Sequence, residues 1–352
     1  MSDFDYGNAR LHAMKARLLR RERLEGLAAT DGVSGLLNAL IKTEYQTAVE
    51  RALVQFTGLP AFNESMRLNL VDTMNRIRQF FPGKAVEYLT WIRRRYDVDN
   101  IKTILRGVVH QLPADEIVNG TLPIGEITPT DLSVLARAGQ ATAVIDLLAT
   151  WRVKLAEPIL ALQAERAGAT LFEMEVALEQ WYVRSVLFGS GGHGQSLREV
   201  IMQQADATNI LTALRLVGVG GVEAFLQAHY KSETAGPLFV GPGTIPLKRL
   251  VAASQESSIE KAVAILSQSP YHEALATGLA QYSVSQQLAV FEQALIQAQR
   301  QQASNLFIRD PLGIGVLLGY LFLKTAEIAN LRRIAHGLEL GHSPEQIRAG
   351  FL

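Results

Sequence analysis

The chain has 352 residues, 48% of them hydrophobic, and its 34 Lys and Arg residues balance 34 Asp and Glu residues. Nucleic-acid-binding proteins usually carry a basic excess and disordered acidic chains an acidic one, so a net charge of +0 favours neither class. The sequence contains no Cys, which excludes disulfides, thiolate nucleophiles and zinc sites with sulfur ligands.

The first predicted element is a basic helix close to the N-terminus. The chain begins with the acidic segment Met1–Asp5, whereas a secretory signal begins with basic residues, so we expect no such signal. Apolar residues recur at helical spacing from residue 10 to residue 23, and the basic residues fall between them: Arg10, Lys15, Arg17, Arg20, Arg21 and Arg23. These residues form either a solvated helix face or a docking surface for an acidic partner or anionic lipid. The candidate docking residues are Arg10, Lys15, Arg17 and Arg20, with Arg93 and Arg94 from a second basic run.

Helical periodicity continues along the rest of the chain. Apolar residues recur every three or four positions at Met66, Leu70, Met74, Ile77 and Phe81, at Leu171, Met174, Leu178 and Trp181, and at Leu288, Phe291 and Leu295. The pattern predicts an all-α fold. The longest apolar run, Leu312–Leu323, is shorter than the roughly 20 residues that cross a bilayer, so we predict a core helix there.

An internal repeat is visible in the sequence. The segment Asp97–Arg106 recurs as Asp206–Arg215, and a weaker third copy is Glu327–His336. Each copy has an acid, then an Asn three positions later and a basic-type side chain six positions beyond the Asn. The signature residues are Asp97, Asn100 and Arg106, then Asp206, Asn209 and Arg215, then Glu327, Asn330 and His336.

Two further sequence features recur at similar distances ahead of this signature. A Leu-x-x-Leu pair lies well ahead of each Asn, at Leu24, Leu132 and Leu247. Each Asn also follows a helix breaker: Pro82-Gly83, the glycine cluster Gly189–Gly194, or Pro311–Gly313. Turn-rich stretches at 111–130 and 231–246 separate the copies. We therefore predict three helical domains, at residues 1–115, 116–235 and 236–352.

The spacing of the signature allows two structural interpretations. The acid and the Asn lie three positions apart, so on one continuous helix they share a face and bond each other or a neighbouring helix end. Alternatively, Asp97 and Asp206 cap new helices whose last turns carry Arg106 and Arg215. Both interpretations favour a role in building each copy over a catalytic role.

No segment of the sequence matches a complete nucleotide-binding, zinc-binding or serine-hydrolase motif. The segment Gly189–Ser196 follows a phosphate-binding loop pattern except that Gln195 replaces the required Lys, and a helical pattern precedes it in place of a strand. His272-Glu273 lacks the second His of a zinc-protease helix, and His336 and His342 stand six positions apart. No Gly-x-Ser-x-Gly elbow stands in a strand-turn-helix context. We expect no catalytic residue, cofactor site or metal site.

The terminal motifs and the signatures resemble a known family. The segments Tyr6–Leu19, Tyr96–Gly107 and Gly319–Arg332 are similar to the C subunit of V/A-type rotary ATPases, a family related to the d subunit of the vacuolar ATPase. The resemblance covers nearly the whole chain and is weakest over residues 184–246.

This resemblance implies a funnel of three pseudo-symmetric helical domains. Such a protein sits on the ring of membrane proteolipids and holds the foot of the central shaft, which D-type and F-type subunits form. It is a rotor part without an active site, on the cytoplasmic face of the membrane, with neither nucleic acid nor a small-molecule substrate as partner. It couples ATP hydrolysis or synthesis to the transport of protons or sodium ions.

The residues alone leave alternatives open. Three similar helical copies also suit an open helical scaffold. The loop Gly189–Ser196 suits a degenerate nucleotide-binding protein, in which ATP binding would depend on Gly194. Only the resemblance selects the closed funnel.

Overall fold

The computed structural model of the chain describes residues 3–166, 168–189 and 194–351. Within these ranges the structure contains α-helices, one short 3-10 turn at Gly236–Leu238, and no β-strand. The all-α prediction is therefore confirmed. The helices are α1 (Asp5–Lys15), α2 (Arg21–Leu27), α3 (Gly32–Leu40), α4 (Gln46–Leu53), α5 (Gly58–Arg78), α6 (Ala85–Val109), α7 (Ala114–Asn119), α8 (Pro129–Ala136), α9 (Ala141–Thr150), α10 (Ala156–Glu165), α11 (Leu171–Gly189), α12 (Gln195–Leu216), α13 (Val222–Tyr230), α14 (Leu247–Ser254), α15 (Ile259–Leu266), α16 (His272–Ser285), α17 (Ala289–Arg309), α18 (Gly315–Glu339) and α19 (Pro344–Ala349).

Helix starts follow local signals in the sequence. Thr128 accepts a hydrogen bond from the backbone N–H of Asp131, whose carboxylate accepts the N–H of Thr128 in return, and Pro129 opens α8. Ser343 and Gln346 form the same capping box ahead of α19, which also opens with a Pro. These boxes satisfy N–H groups that the first turn of a helix leaves unpaired.

The chain forms two compact units, which are described separately. The first combines Met1–Val86 with Arg300–Leu352, and the second is Glu87–Gln299. In the first unit, α18 packs against α1, α2, α3 and α5. Residues Val316, Leu317, Leu331 and Ile334 of α18 are all fully buried, since this helix is apolar on several sides.

The apolar run at Leu312–Leu323 is a core helix for most of its length. The helix begins at Gly315, whose backbone N–H donates to the Asp310 carboxylate at 2.8 Å. Leu312 precedes the helix and is 75% exposed. None of the described helices is long and apolar enough to cross a membrane.

In the second unit, α12 packs against α14 and α15, and α10 packs against α11. A large apolar cluster includes Ile210, Leu214, Leu250, Leu266 and Phe291. The signature segments of α6 and α12 both lie in this unit. The three predicted domains at 1–115, 116–235 and 236–352 stay a prediction, because the two units group the chain by contact and not by sequence copy.

The helix breakers lie between consecutive long helices. Pro82-Gly83 separates α5 from α6, and Pro311–Gly313 separates α17 from α18. The glycine cluster lies between α11 and α12, and its residues 190–193 are outside the described residues. Two signature helices also end alike: the Leu112 N–H donates to the Gly107 carbonyl and the His342 N–H donates to the Gly337 carbonyl, both at 2.9 Å.

The predicted basic helix over residues 10–23 is wrong as a single element. The structure has α1 ending at Lys15 and α2 beginning at Arg21. A tertiary contact accounts for the interruption. The backbone N–H of Leu19 donates to the buried carboxylate of Glu327, so it does not donate to a carbonyl one turn earlier as it would in a continuous helix.

The two turn-rich stretches between the copies are docked segments. The first contains α7, and Ile124 and Ile127 beyond it are buried. The second contains the 3-10 turn, and Phe239 and Ile245 are buried. Their apolar side chains anchor them to the body of the second unit, so the Pro and Gly residues set their path without making them free spacers.

Candidate functional site

The signature acids and Asn residues lie in the middle of α6, α12 and α18. All are buried, with at most 5% of any residue exposed: Asp97, Asn100, Asp206, Asn209, Glu327 and Asn330. Neither Asp97 nor Asp206 begins a helix, which excludes the helix-cap interpretation. We call the pairs in α6, α12 and α18 the first, second and third site.

At the first site, α6 binds the backbone of residues 122–127. The Asn100 side chain donates to the Leu122 carbonyl and accepts the Leu122 N–H, both at 2.7 Å. Asp97 accepts the N–H groups of Glu126 at 2.7 Å and Ile127 at 3.2 Å. These bonds satisfy backbone groups that would otherwise be buried without partners. The segment just ahead of α8 is therefore held by side chains of α6.

Burial dominates the electrostatics of Asp97. It raises the pKa of the Asp97 carboxyl to about 6, and the backbone N–H groups of Glu126 and Ile127 lower that pKa only in part. Arg93 adds to the same attachment, since its guanidinium donates to the carbonyls of Ile124 and Gly125, both at 2.6 Å.

The second site repeats this pattern with α12. Asn209 donates to the Gly241 carbonyl at 3.0 Å and accepts the Val240 N–H at 2.9 Å. Asp206 accepts the N–H groups of Thr244 at 2.8 Å and Ile245 at 3.1 Å. The segment ahead of α14 is thus held as the segment ahead of α8 is.

A glycine is required beside both Asp residues. A Cβ atom added at Gly125 would lie 1.9 Å from an Asp97 oxygen, and one added at Gly243 would lie 1.9 Å from an Asp206 oxygen. No side chain fits at such distances. The two glycines therefore let the backbone approach the carboxylate closely enough to donate to it.

A tyrosine hydroxyl completes the second site. Tyr271 donates to the Asp206 carboxylate at 3.0 Å, and so does the Thr244 hydroxyl at 2.5 Å. Burial and the charge of Asp206 raise the pKa of Tyr271. The hydroxyl therefore stays protonated and remains a donor at neutral pH.

The third site holds the start of the chain. Glu327 accepts the backbone N–H of Leu19, the hydroxyl of Tyr45 at 2.6 Å and the ammonium of Lys324 at 2.8 Å. The Lys324 ammonium also lies 2.8 Å from the Tyr45 hydroxyl. Burial lowers the pKa of Lys324, while the charge of Glu327 opposes that change. At the third site, the acid therefore accepts an ammonium, a tyrosine hydroxyl and one backbone N–H, whereas at the first and second sites it accepts two backbone N–H groups.

The three attachments follow one order along the sequence. The first signature helix holds a segment that opens the second copy, and the second holds a segment that opens the third copy. In the first unit, the third signature helix holds Leu19 and Tyr45 of the first copy. Within each unit, a signature acid thus holds a segment that is distant from it in the sequence.

The basic-type ends of the signatures are not part of these sites. Arg106 is exposed and pairs with Glu175 of α11 at 2.5 Å. Arg215 and His336 are also exposed, in the last turns of α12 and α18. In the first two signatures the acid and the Asn hold the backbone of the following segment, whereas Arg106 forms an ion pair with α11 at the surface.

The candidate docking residues have different surroundings. In the first unit, Arg10 lies 5.1 Å from the centroid of the Phe80 ring, Lys15 lies 3.6 Å from that of Phe307, and Arg17 pairs with Glu44 at 3.4 Å. Arg20 is exposed immediately before α2.

In the second unit, Arg94 lies 4.5 Å from the centroid of the Trp91 ring and 3.5 Å from Glu126. Arg93 is used internally, at the first site. Docking by the other five residues stays a prediction.

Several residues of the sites carried no signal by themselves in the sequence. Tyr45 and Tyr271 stand at the same place in the first and third copies, immediately before α4 and α16, so aligning the copies over their whole length would have found them. Lys324, three positions ahead of Glu327, corresponds to Arg94 ahead of Asp97 and to Gln203 ahead of Asp206, so this position is basic in two of the three signatures.

A charged cluster beside the first site was also missed. Arg95 bonds Asp99 at 2.9 Å and Glu179 at 2.5 Å, and Lys102 bonds Glu179 at 2.6 Å. Burial raises the pKa of Glu179, but Arg95 and Lys102 outweigh burial and hold that pKa below its usual value. The cluster ties α6 to α11 within the second unit.

The described residues contain no group of three or more His, Cys, Asp or Glu side chains arranged to hold a metal ion. The nucleotide-loop candidate Gly189–Ser196 falls partly outside the described residues, at positions 190–193, and its Gly194 directly precedes α12.

Comparison with known proteins places these helices in a wider context. The sequence model of the ATP synthase (C/AC39) subunit family matches residues 7–350. The A-type ATP synthase C subunit of Methanocaldococcus jannaschii is 25% identical over 99% of this chain and 86% of its own length. The V-type ATP synthase C subunit of Deinococcus radiodurans is 26% identical over 98% and 90%. The A-type C subunit of Methanosarcina acetivorans is 27% identical over 99% and 92%.

Proposed function

The chain belongs to the ATP synthase (C/AC39) subunit family, and from that premise we propose that it is a non-catalytic rotor subunit of a V/A-type rotary ATPase. In this role it is a socket that couples the central shaft of D-type and F-type subunits to the membrane proteolipid ring. It serves the transport of protons or sodium ions during ATP hydrolysis or synthesis. Its place is at the cytoplasmic face of the membrane, as a peripheral part of the complex.

The proposed assembly is a funnel of three similar domains, residues 1–115, 116–235 and 236–352, around the foot of the shaft. The observation that carries the proposal is the cyclic attachment of each signature helix to the following copy. A part that transmits torque has to resist shear between its domains. Buried bonds of this kind resist shear because breaking one leaves a desolvated polar group unpaired.

The chemistry of the buried acids supports a non-catalytic role. Asp97 and Asp206 accept backbone N–H groups, and Glu327 is paired with Lys324. A general acid or base has to reach a reacting atom, whereas these carboxylates are buried and bond groups of the chain itself. The three sites are therefore interpreted as joints.

Co-sedimentation tests the proposal. The full chain is mixed with the D-type and F-type heterodimer from the same genome, and separately with the detergent-solubilised proteolipid ring. We expect stoichiometric binding in both mixtures. If the folded chain sediments alone in both, the rotor assignment is wrong.

A charge reversal in the same assay tests the docking surface. Arg20→Glu is compared with Arg215→Glu, a matched change at another exposed Arg. If Arg20 docks an acidic partner, only the first variant weakens binding, by about fivefold or more, because reversing an interface charge creates repulsion. Equal binding by the two variants would remove Arg20 from the interface.

A further inference from the structure

The residue immediately before α10 distinguishes the first site from the other two. Tyr45 immediately precedes α4, Tyr271 immediately precedes α16, and both hydroxyls donate to the signature acid of their site. The corresponding residue ahead of α10 is Leu155, which is 2% exposed. A leucine has no hydroxyl, so the first site lacks the donor that this position supplies in the other two.

A cavity of about 490 Å³ adjoins this position, and both Asp97 and Leu155 line it. Asp97 is 2% exposed. In the part of the chain that the structure describes, its two oxygens each accept one backbone N–H. A carboxylate has about four acceptor positions, so the carboxylate retains capacity for a further donor. At Asp206 and Glu327, the tyrosine hydroxyl uses this capacity.

The walls of the cavity indicate what kind of donor fits. Six charged side chains line the cavity, three of each sign: Arg94, Arg152, Lys154, Asp97, Glu126 and Asp131. Because the two signs balance, the walls give no net attraction to a cation or to an anion, and a neutral group fits the cavity. Trp151 and Trp181 also line the cavity, and indole rings pack well against another flat aromatic ring.

From this juxtaposition we infer that the cavity beside Asp97 binds a neutral phenol, whose hydroxyl donates to the Asp97 carboxylate. The hydroxyl of the phenol supplies the bond that the hydroxyls of Tyr271 and Tyr45 supply at the second and third sites. Its source is either a tyrosine side chain of a partner protein or a small phenolic molecule. In both cases the ring lies between the tryptophans and the hydroxyl points to the acid.

Binding of p-cresol to the full-length chain at pH 7.5 tests this inference. The indole N–H signals of Trp151 and Trp181 are followed by NMR during the titration. We expect saturable shifts of both signals. Toluene, which has the ring without the hydroxyl, should bind about tenfold more weakly, because it cannot bond the carboxylate. Equal binding of toluene, or shifts that do not saturate, would overturn the inference.

Two variants at position 155 make the test independent of the added ligand. Leu155→Tyr should place its own hydroxyl against Asp97, abolish p-cresol binding and raise the melting temperature above that of Leu155→Phe. The two variants differ by the hydroxyl alone. If Leu155→Tyr melts at or below Leu155→Phe, or if it still binds p-cresol as the unmodified chain does, the inference fails.

A second ligand identifies the source of the phenol. N-acetyltyrosinamide has the tyrosine ring with peptide groups on both sides of it. Binding at least as tight as that of p-cresol supports a tyrosine of a partner protein, and binding of p-cresol alone supports a small phenol. If neither ligand binds, the cavity is no phenol site.

Discussion

At the scale of single residues, the Asn of the first and of the second signature performs a task that few side chains can perform. Its amide donates to a carbonyl and accepts an N–H of the same neighbouring segment, as Asn100 does with Leu122. An Asp lacks the donor and a Leu lacks both groups. The pairing explains why an amide stands at these buried positions.

Truncation of these amides should therefore destabilise the protein. We expect Asn100→Ala, Asn209→Ala and Asn330→Ala each to lower the free energy of unfolding by about 1–3 kcal/mol, since buried polar groups lose their partners. Chemical denaturation measures the change, with exposed Arg215→Ala as the control. Unchanged melting of all three Asn variants would contradict the structural role of the signature.

The carboxyl of Asp97 predicts a dependence of stability on pH. Burial raises its pKa to about 6 in the folded protein, from an ordinary value of 3.8. The folded state then binds the proton more tightly than the unfolded chain does. The contribution of Asp97 is complete below about pH 4 and is lost as the pH rises through 6, a difference of about 3 kcal/mol.

Comparison with Asp97→Asn isolates this effect, since the amide does not titrate. The unfolding free energy of the unmodified chain, minus that of the variant, should fall between pH 4 and pH 7. The charges that face Asp97 in this range are Arg93 and Arg94 of α6, Glu126, Asp131, Arg152 and Lys154. Asp115→Asn, at a side chain that is 92% exposed, is the matched control. A difference that stays constant with pH would contradict the prediction.

At the scale of helices, buried polar contacts decide where short segments attach. The segment from Leu19 to Tyr45 contains α2 and α3 and is joined to α18 through Glu327 and Lys324. A buried ion pair contributes modestly to net stability, but removal of one partner is costly because the other charge stays buried. The attachment therefore depends on both charges.

Lys324→Met should loosen this segment. We expect a loss of about 3–5 kcal/mol in the free energy of unfolding, because the Glu327 carboxylate remains without its ammonium partner. Hydrogen exchange of the amides between Leu19 and Tyr45 should accelerate with it. Lys42→Met, the same change at an exposed Lys, serves as the control. Equal exchange in the two variants would show that the ion pair does not hold the segment.

At the scale of the whole molecule, both ends of the sequence belong to one compact unit. The Asn8 side chain donates to the Gly313 carbonyl at 3.0 Å, and Arg348 donates to the Glu25 carbonyl at 3.3 Å. Leu11 of α1 is fully buried against this unit. The start of the chain is thus a structural part of the helix bundle around α18.

Removal of the segment ahead of Arg20 should consequently unfold the first unit selectively. We expect hydrogen exchange in α18 to accelerate by two or more orders of magnitude, since the helix loses buried contacts with α1 and the Leu19 bond. Amides of α12 and α14 in the second unit should retain their protection. Full-length Arg20→Ala is the control. Equal loss of protection in both units would contradict this prediction.

The sequence by itself determined the helical class and the family, and it predicted the threefold repeat. Apolar spacing of three and four residues depends only on helix geometry, and it predicted the helices around Met66–Ile77 and Leu171–Trp181. The repeat was visible because the acid and the Asn are rare types at buried positions, where a polar group persists only with a partner.

Only the tertiary structure decided what these residues bind. The partners of Asp97, Asn100, Asp206 and Asn209 are backbone N–H and carbonyl groups, which nearly every residue has, so no side chain marks them in the sequence. For the same reason, the sequence predicted one continuous helix over residues 10–23, although the helix is interrupted around Leu19. The local spacing of apolar residues predicts the helices. The bonds at the three sites form between backbone and side-chain groups that lie far apart in the sequence. Only folding brings these groups together.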